Sequence, residues 1–140
     1  GGPSGFAGGV GGAGAYLDSE GEGVTIPAAG GHGGSALGGA IFVRAGQLHL
    51  RNTTFLNNSA TGGLGAAGNP NGVAKAGALF ICSSSFCGPG HDGVTFLSGK
   101  AVFRNNSAAD GGVDPLCSGR DDVDVCGLVV AAAPAIESKR

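Results

Sequence analysis

The amino-acid sequence predicts an all-β fold, a parallel β-helix in which short strands stack on one another. Two observations lead to this prediction: the apolar segments are short and strand-like, and a unit made of such segments recurs in a fixed order. Composition alone does not predict a folded domain, because 31 Gly and 6 Pro among 140 residues approach the level of a low-complexity chain. The length and 41% hydrophobic content fit one domain with a modest core.

Gly-rich connections separate the segments that predict strands. Residues 1–40 alone hold 16 of the 31 Gly, and each Gly inside a helix destabilises it by about 1 kcal/mol relative to Ala. We therefore expect no helix in residues 1–40 and strands throughout. The expected strands are Ala15–Leu17, Val24–Ile26, Ala40–Val43, Leu48–Leu50, Ala78–Ile81, Val94–Phe96, Ala101–Phe103 and Leu128–Ala131.

The recurring unit emerges when the chain is aligned with itself. The first copy contains Gly38-Gly-Ala-Ile41, Leu48-His-Leu50 and Phe55-Leu-Asn-Asn58. The second contains Ala76-Gly-Ala-Leu79, Val94-Thr-Phe96 and Phe103-Arg-Asn-Asn106. A fainter copy at Ala13–Leu17 and Val24–Ile26 precedes both. Small strand-only repeats are stable only when they stack on neighbours, which favours a β-helix of about three coils with a degenerate first coil over residues 1–112.

Stacking places equivalent side chains of successive copies about 4.8 Å apart. We expect Phe55 over Phe103 and Asn58 over Asn106, with buried rings and with Asn amides bonded to the turn backbone. Glycines would then occupy corners that need a positive φ or a close backbone approach. Hairpin turns of an antiparallel sandwich are the alternative explanation of the same motifs.

Four cysteines form two close pairs along the chain, Cys82 with Cys87 and Cys117 with Cys126. Four Cys allow three pairings, of which we expect two local disulfides. The first pair lies in an insertion of the second copy, where a side loop needs a covalent link. The second lies in residues 113–140, which we expect to form a cap or tail. The spacings do not fit the CxxC pairs of a zinc site, so no metal is predicted, and disulfides indicate a secreted or cell-surface location.

The alternation of Gly-Gly-Ala-Ile with Phe-x-x-Asn resembles the repeat of the chlamydial polymorphic membrane proteins. It stands here as Gly38–Ile41 with Phe55–Asn58, and the second copy departs from it at Ala76. The resemblance implies a right-handed β-helix passenger or stalk over residues 10–112, exposed on a cell surface and used in adhesion or assembly.

The expected role is therefore a noncatalytic structural or adhesive module of a stalk, filament or matrix. An open end of stacked strands exposes unpaired backbone groups, so we expect self-assembly or association with other chains, with glycans as further candidate partners. Ten acids and eight bases without a long basic cluster argue against nucleic acid. The apolar stretch 128–136 is too short to span a membrane, and no cofactor is expected. The first residues, Gly-Gly-Pro, contain no initiator Met or signal peptide, so we expect a processed or excised fragment. The terminal Lys139-Arg140 would suit a processing cut, but a solvated, charged tail is the commoner explanation of such a pair.

Three N-x-S/T sequons make Asn52, Asn57 and Asn105 candidate glycosylation sites. Successive side chains of a strand point to opposite faces. If Asn58 and Asn106 form a ladder, Asn57 and Asn105 therefore face solvent, where a glycan is sterically accommodated.

The alternative functions are a fragment of a pectin-lyase-like enzyme and a glycan-binding module. Such an enzyme needs paired carboxylates on one groove, so two carboxylates on the face of Leu48–Leu50 and Val94–Phe96 would favour it. We predict no catalytic residue, since surface turns explain the remaining polar groups better. These groups are Asp18, Glu20, Glu22, His91–Asp92 and Ser83–Ser85. The acids at 110, 114, 121, 122 and 124 fit no EF-hand spacing and are expected in a solvated loop rather than around calcium.

Overall fold

The computed structural model describes residues 15–16, 26–27, 31–66, 69–112, 115–117, 123–131 and 136–139. Within these residues the chain forms fifteen short strands, one four-residue helix α1 (Ser84–Cys87) and a 3₁₀ turn at Pro115–Cys117. The longest strands have six residues. The prediction of the all-β class is confirmed, and both helical turns lie beside cysteines.

Most strands belong to three successive passes of the chain through the same set of sheets. The first pass contains β3 (Ala36–Leu37), β4 (Ile41–Val43), β5 (Gly46–Arg51), β6 (Thr54–Leu56) and β7 (Ser59–Ala60). The second pass contains β8 (Ala74–Lys75), β9 (Leu79–Ile81), β10 (Gly93–Ser98), β11 (Ala101–Arg104) and β12 (Ser107–Ala108). The third contains β13 (Val125–Cys126), β14 (Val129–Ala131) and β15 (Ile136–Lys139).

Strands of successive passes pair in parallel, each with its counterpart. The second pass pairs with the first as β3 with β8, β4 with β9, β5 with β10, β6 with β11, and β7 with β12. The third pass extends three of these sheets as β9 with β13, β10 with β14, and β11 with β15. Parallel strands need long crossover connections, and the other strands of each pass supply them. An antiparallel sandwich would have paired these strands in the opposite sense.

The two remaining strands, β1 (Ala15–Tyr16) and β2 (Ile26–Pro27), pair with each other and antiparallel. The sequence aligns them as a fainter copy of the repeat, yet their pairing differs from that of the three passes. A short connection favours this outcome, because antiparallel neighbours need no crossover. The boundary expected at residue 112, between the repeat region and a cap or tail, stays a prediction. The strands β13–β15 follow that residue and pair with strands of the second pass.

Side chains of the second pass are the most deeply buried, because another pass covers them on either side. Leu79, Phe80 and Thr95 are fully buried, whereas the equivalent Ile41, Phe42 and Leu48 of the first pass are only partly so. The apolar interior therefore centres on the second pass. The buried hydrophobic residues of this pass are Ala74, Ala76, Ala78, Leu79, Phe80, Ile81, Cys82, Leu97, Ala101 and Phe103.

Corners between the sheets repeat in register from the first pass to the second. Asn57 and Asn105 both have positive φ, 56° and 54°, and the pairing of β6 with β11 places them opposite each other. Asn52 and Gly99 match in the same way, with φ of 48° and 66°. Asn and Gly are the residues that tolerate this left-handed region best. The sequence thus forms equivalent corners with different residues.

One strand alignment expected from sequence is wrong by one residue. The repeat aligned Leu48 with Val94, but the structure pairs Leu48 with Thr95 and His49 with Phe96. The turn after β10 is one residue longer than the turn after β5, since Arg51 pairs with Ser98 while Thr54 pairs with Val102. A slip of one residue exchanges the two faces of a strand. Thr95 and Leu97 therefore face inward, and Val94 and Phe96 outward.

Candidate functional site

The two predicted disulfides are present. Cys82 bonds Cys87 with Cα atoms 5.6 Å apart, and Cys117 bonds Cys126 with Cα atoms 4.4 Å apart. The first closes the loop between β9 and β10, and the second ties the 3₁₀ turn to β13. Cys82, Cys117 and Cys126 are buried, so both links belong to the packed interior. Disulfides are compatible with an extracellular location.

The loop of residues 82–92 occurs in the second pass, while the first and third passes turn directly from one strand to the next. Its ends are held together by Asp92, whose carboxylate accepts a hydrogen bond from the Ser84 amide at 2.6 Å and another from the Ser84 hydroxyl. The hydroxyl of Ser84 and then its amide lower the pKa of Asp92. Desolvation opposes them, and the nearby His91, the weakest of the four causes, lowers the pKa as well. These contacts give Asp92 and Ser84 a structural role in the loop.

The two phenylalanines predicted to stack are adjacent in the sheet of β6 and β11. Phe55 pairs in register with Phe103, and their rings are parallel, with centroids 4.9 Å apart and planes inclined by 9°. Both side chains are buried. A second pair, Phe42 and Phe80, stacks at 5.7 Å in the neighbouring sheet. Stacked rings at this spacing bury a large apolar area and stabilise the register of the strands.

The two asparagines predicted as a ladder are joined by hydrogen bonds at the corner between β6 and β7. The Asn106 amide oxygen accepts from the backbone N–H of Asn58 at 3.0 Å and from its side-chain nitrogen at 2.9 Å. The Asn106 side-chain nitrogen donates to the Phe55 carbonyl at 3.3 Å and to the Asp124 carboxylate at 2.9 Å. The network of Asn58, Asn106 and Asp124 therefore links all three passes.

Asp124 is the residue whose role the sequence did not indicate. The sequence predicts it in a solvated loop with the neighbouring acids. In the structure its carboxylate accepts a hydrogen bond from Asn106, and its backbone carbonyl accepts from the N–H groups of Ala78 and Leu79. Asp110, from the same group, accepts a hydrogen bond from the Ala74 amide at 2.7 Å. Asp114, Asp121 and Asp122 lie outside the described residues, as do Asp18, Glu20 and Glu22. Among the described residues, no group of three His, Cys, Asp or Glu side chains is arranged to hold a metal ion.

The sequon asparagines occupy two kinds of corner. Asn57 and Asn105 are exposed, as alternation predicts, and they lie one pass apart in register. Asn52 is also exposed, but its side-chain oxygen accepts a hydrogen bond from the backbone N–H of Lys100 at 3.1 Å. Positive φ explains why Asn stands at all three positions. Glycosylation of these residues stays a prediction.

The outward face of β5, β10 and β14 brings together side chains that the sequence alignment had separated. Because Phe96 points outward, its ring stacks on the exposed His49 with centroids 4.8 Å apart and planes inclined by 11°. The pair follows from the register of β5 and β10, in which His49 is opposite Phe96 because the turn after β10 is one residue longer than the turn after β5. The outward residues of this face are Gln47, His49, Arg51, Val94, Phe96, Ser98 and Val130.

Comparison of the chain with family models, curated proteins and solved structures gave no match in any of the three. In the part of the chain that the structure describes, no helix has the length and apolar character needed to cross a membrane.

Proposed function

We propose that this chain is a segment of a right-handed parallel β-helix that serves as a noncatalytic structural or adhesive module of a secreted or cell-surface assembly. The single observation that carries this proposal is the in-register parallel pairing of three passes. Five strands of the first pass each have a counterpart in the second, and three of those continue into the third. A repeat in which each unit contacts its sequential neighbours is typical of an elongated scaffold.

The side-chain ladders support the same proposal. Phe55 with Phe103 and Asn58 with Asn106 stand at equivalent positions of the Phe-x-x-Asn motif, which is the motif that resembles the polymorphic membrane protein repeat. Their stabilising contacts form between passes rather than within one pass. A single unit would lose them, which is why such repeats occur in arrays.

Sheet edges support assembly with further chains. Among the described residues, β4, β5 and β6 pair on one side only, and so do β13, β14 and β15 at the other end. An edge strand presents unpaired N–H and C=O groups that a further strand can satisfy. Leu48 and Leu50 of β5 are also only half-buried. We therefore propose a partner strand at these edges, from a copy of this chain or from another chain.

The composition of the outward face favours this module over the enzyme alternative. A pectin-lyase-like site would need at least two carboxylates beside β5 and β10. The described outward positions of that sheet hold amide, imidazole, guanidinium, hydroxyl and apolar side chains instead. The structural role therefore remains our proposal.

Cysteine cross-linking tests the architecture. Thr54 and Val102 are register partners that point outward on β6 and β11, and the spacing of about 4.8 Å between paired strands lies within the Cα separation that a disulfide can bridge. We expect the double variant Thr54→Cys/Val102→Cys to oxidise to a single intramolecular cross-link located by mass spectrometry. The matched control Thr54→Cys/Ser98→Cys, whose positions lie on different sheets, should stay reduced. Cross-linking of the control in place of the register pair would refute the parallel stack.

Sedimentation velocity across a dilution series tests the assembly. We expect the chain to associate and the association to weaken on dilution, because edge pairing follows mass action. A monomer at every concentration, with the cross-link of the register pair intact, would reject self-assembly while leaving the β-helix proposal standing.

A further inference from the structure

Inward-facing apolar side chains are covered to different degrees in the three passes. In the sheet formed by β5, β10 and β14, Thr95 and Leu97 of the central strand are buried. Leu48 of β5 and Val129 of β14 are opposite Thr95 on its two sides, and both are only partly buried. Among the described residues, β5 and β14 are the edge strands of this sheet. Each end of the stack therefore has an apolar side chain that a further pass would bury.

Backbone groups at the two edges are also complementary. Successive residues of a strand direct their N–H and C=O groups to alternate sides. The N–H of Gly46 donates to the Asp92 carbonyl, so the even-numbered residues of β5 face β10. The N–H of Thr95 donates to the Leu128 carbonyl, so the even-numbered residues of β14 also face β10. The residues whose backbone groups point to the open edges are 47, 49 and 51 of β5 and 129 and 131 of β14.

We propose that copies of this chain stack head to tail, with the first pass of one copy paired in parallel to the third pass of the next. The stacking rests on the β-helix architecture proposed above and commits the partner at its edges to a second copy. Leu48 of one copy lies opposite Val129 of the next, in the register that both residues already have with Thr95. The Val129 N–H donates to the carbonyl of Gln47, and the Val129 carbonyl accepts from the N–H of His49.

The same displacement of one copy along the stack also pairs the neighbouring sheets. Leu79 of β9 is opposite Ile41 on one side and opposite Val125 on the other. Stacking sets the partly buried Ile41 of one copy against the partly buried Val125 of the next. In the third sheet, β6 and β15 both pair in parallel with β11 and form its two edges among the described residues. One displacement therefore pairs three strands at once and keeps every strand parallel.

A two-fold dimer would use these edges less completely. Joined through the first pass, it would leave the third-pass edges of both copies without a partner strand. Head-to-tail stacking pairs both edges of every copy, so it covers the partly exposed Leu48 and Val129 alike. Such a contact does not close on itself and produces a filament. Three passes at about 4.8 Å each give an axial repeat of roughly 14 Å per copy.

Cysteine pairs on the outward face test the order of the copies. His49 and Val130 are exposed and stand opposite Phe96 on its two sides. Within one copy they are two strand spacings apart, roughly 10 Å, which exceeds the Cα separation of about 7 Å that a disulfide can bridge. Across the junction of two stacked copies they are register partners, roughly 5 Å apart. A disulfide between these positions therefore reports a contact between copies.

Single variants mixed before oxidation distinguish the possible contacts. We expect an equimolar mixture of His49→Cys and Val130→Cys to form disulfide-linked heterodimers, separated on non-reducing gels and located by mass spectrometry. The double variant His49→Cys/Val130→Cys should form a series of longer oligomers, because each copy is then linked at both ends. The matched control mixes Gln47→Cys with Val130→Cys, which are exposed on the same face but two residues out of register, roughly 8 Å apart. It should give at least about fivefold less heterodimer.

Three results would overturn the proposal. The first is that His49→Cys or Val130→Cys alone dimerises in preference to the mixture, which indicates a two-fold contact. The second is equal cross-linking of the control that is out of register. The third is that no cross-link forms between copies although Thr54→Cys/Val102→Cys closes within one copy, which rejects head-to-tail stacking and leaves the β-helix standing. Failure of that internal cross-link as well would instead refute the architecture on which the stacking rests.

Discussion

Two regions of the molecule hold neighbouring segments together by opposite means. In the ladder region, β6–β7 and β11–β12, side chains make the contacts, as in the stacked rings of Phe55 and Phe103. In the region we call the glycine seam, residues 33–34, 62–63 and 72, the backbones themselves touch. There the N–H of Gly63 donates to Gly34 and the N–H of Gly72 to Gly63, each at 2.8 Å.

The difference lies in what each region tolerates. A methyl group at Gly62 would overlap the carbonyl oxygen of Gly72, and one at Gly72 would overlap that of Gly34. The seam therefore excludes side chains, whereas the ladder consists of them. Glycine excess and aromatic repeats are thus two separate ways for one sequence to bring chain segments into contact.

The largest effect is expected from removing a ring of the ladder. Phe103→Ala deletes a buried side chain that packs on Phe55, and such deletions lower the free energy of unfolding by roughly 3–5 kcal/mol. Urea denaturation followed by circular dichroism measures the loss. If the variant does not fold, Phe103→Leu provides a milder change, expected below about 1.5 kcal/mol.

The matched control is Phe96→Ala, which removes the same ring from the outward face. Phe96 is half-buried and stacks on the exposed His49, so we expect a loss of only about 1 kcal/mol. Equal losses from the two variants would contradict the assignment of the inner and outer faces.

The next effect tests the glycine seam. Gly62→Ala introduces a methyl group against the Gly72 carbonyl, and overpacking of this kind destabilises by about 1–3 kcal/mol. We expect faster hydrogen exchange of the Gly63 and Gly72 amides with little change in the ladder strands, since the seam lies outside the parallel sheets. The control Gly112→Ala places its methyl in open space and should leave exchange unchanged. Uniform acceleration across β11 would show that the two regions are not independent.

Much of the ladder region could be predicted from sequence, because both copies carry the same residues at the same offsets. Phe55 and Phe103, like Asn58 and Asn106, stand 48 residues apart and are in contact. The contact of Asp124 with Asn106 could not be predicted, because Asp124 lies outside both recognisable copies of the repeat. A carboxylate oxygen accepts a hydrogen bond as an amide oxygen does, so Asp can take this position although the repeat pattern of Asn does not include it.

The candidate site could not be predicted in the same way. The alternation Val94-Thr-Phe96 favours apolar residues 94 and 96 on the inner face, but the longer turn after β10 places Thr95 there. Phe96 consequently lies on the outward face, where its ring stacks on His49.

A smaller effect, of opposite sign, is expected from Thr95. Its side chain is fully buried between Leu48 and Val129, and no hydrogen-bond partner for its hydroxyl lies among the residues that the structure describes. Thr95→Val replaces that hydroxyl with a methyl of similar size, so we expect the free energy of unfolding to rise by about 1 kcal/mol. The exposed Thr54→Val, on β6, is the control and should change stability by less than about 0.5 kcal/mol. Destabilisation by Thr95→Val would instead mean that the hydroxyl is hydrogen-bonded.

The smallest effect concerns the disulfide-closed loop and depends on pH. The hydrogen bonds from Ser84 lower the pKa of Asp92 below its ordinary value of 3.8, so ionised Asp92 stabilises the folded loop. A carboxyl with a lowered folded pKa contributes stability that is complete above the ordinary pKa and is lost as the pH falls through the lowered value. We expect the Ser84 amide, followed by NMR, to shift with a midpoint below 3.8. Ser84→Ala removes the largest cause of the shift, so the Asp92 carboxyl signal should then titrate closer to the ordinary value. A midpoint at or above that value in the unmodified chain would show that Asp92 does not hold the loop.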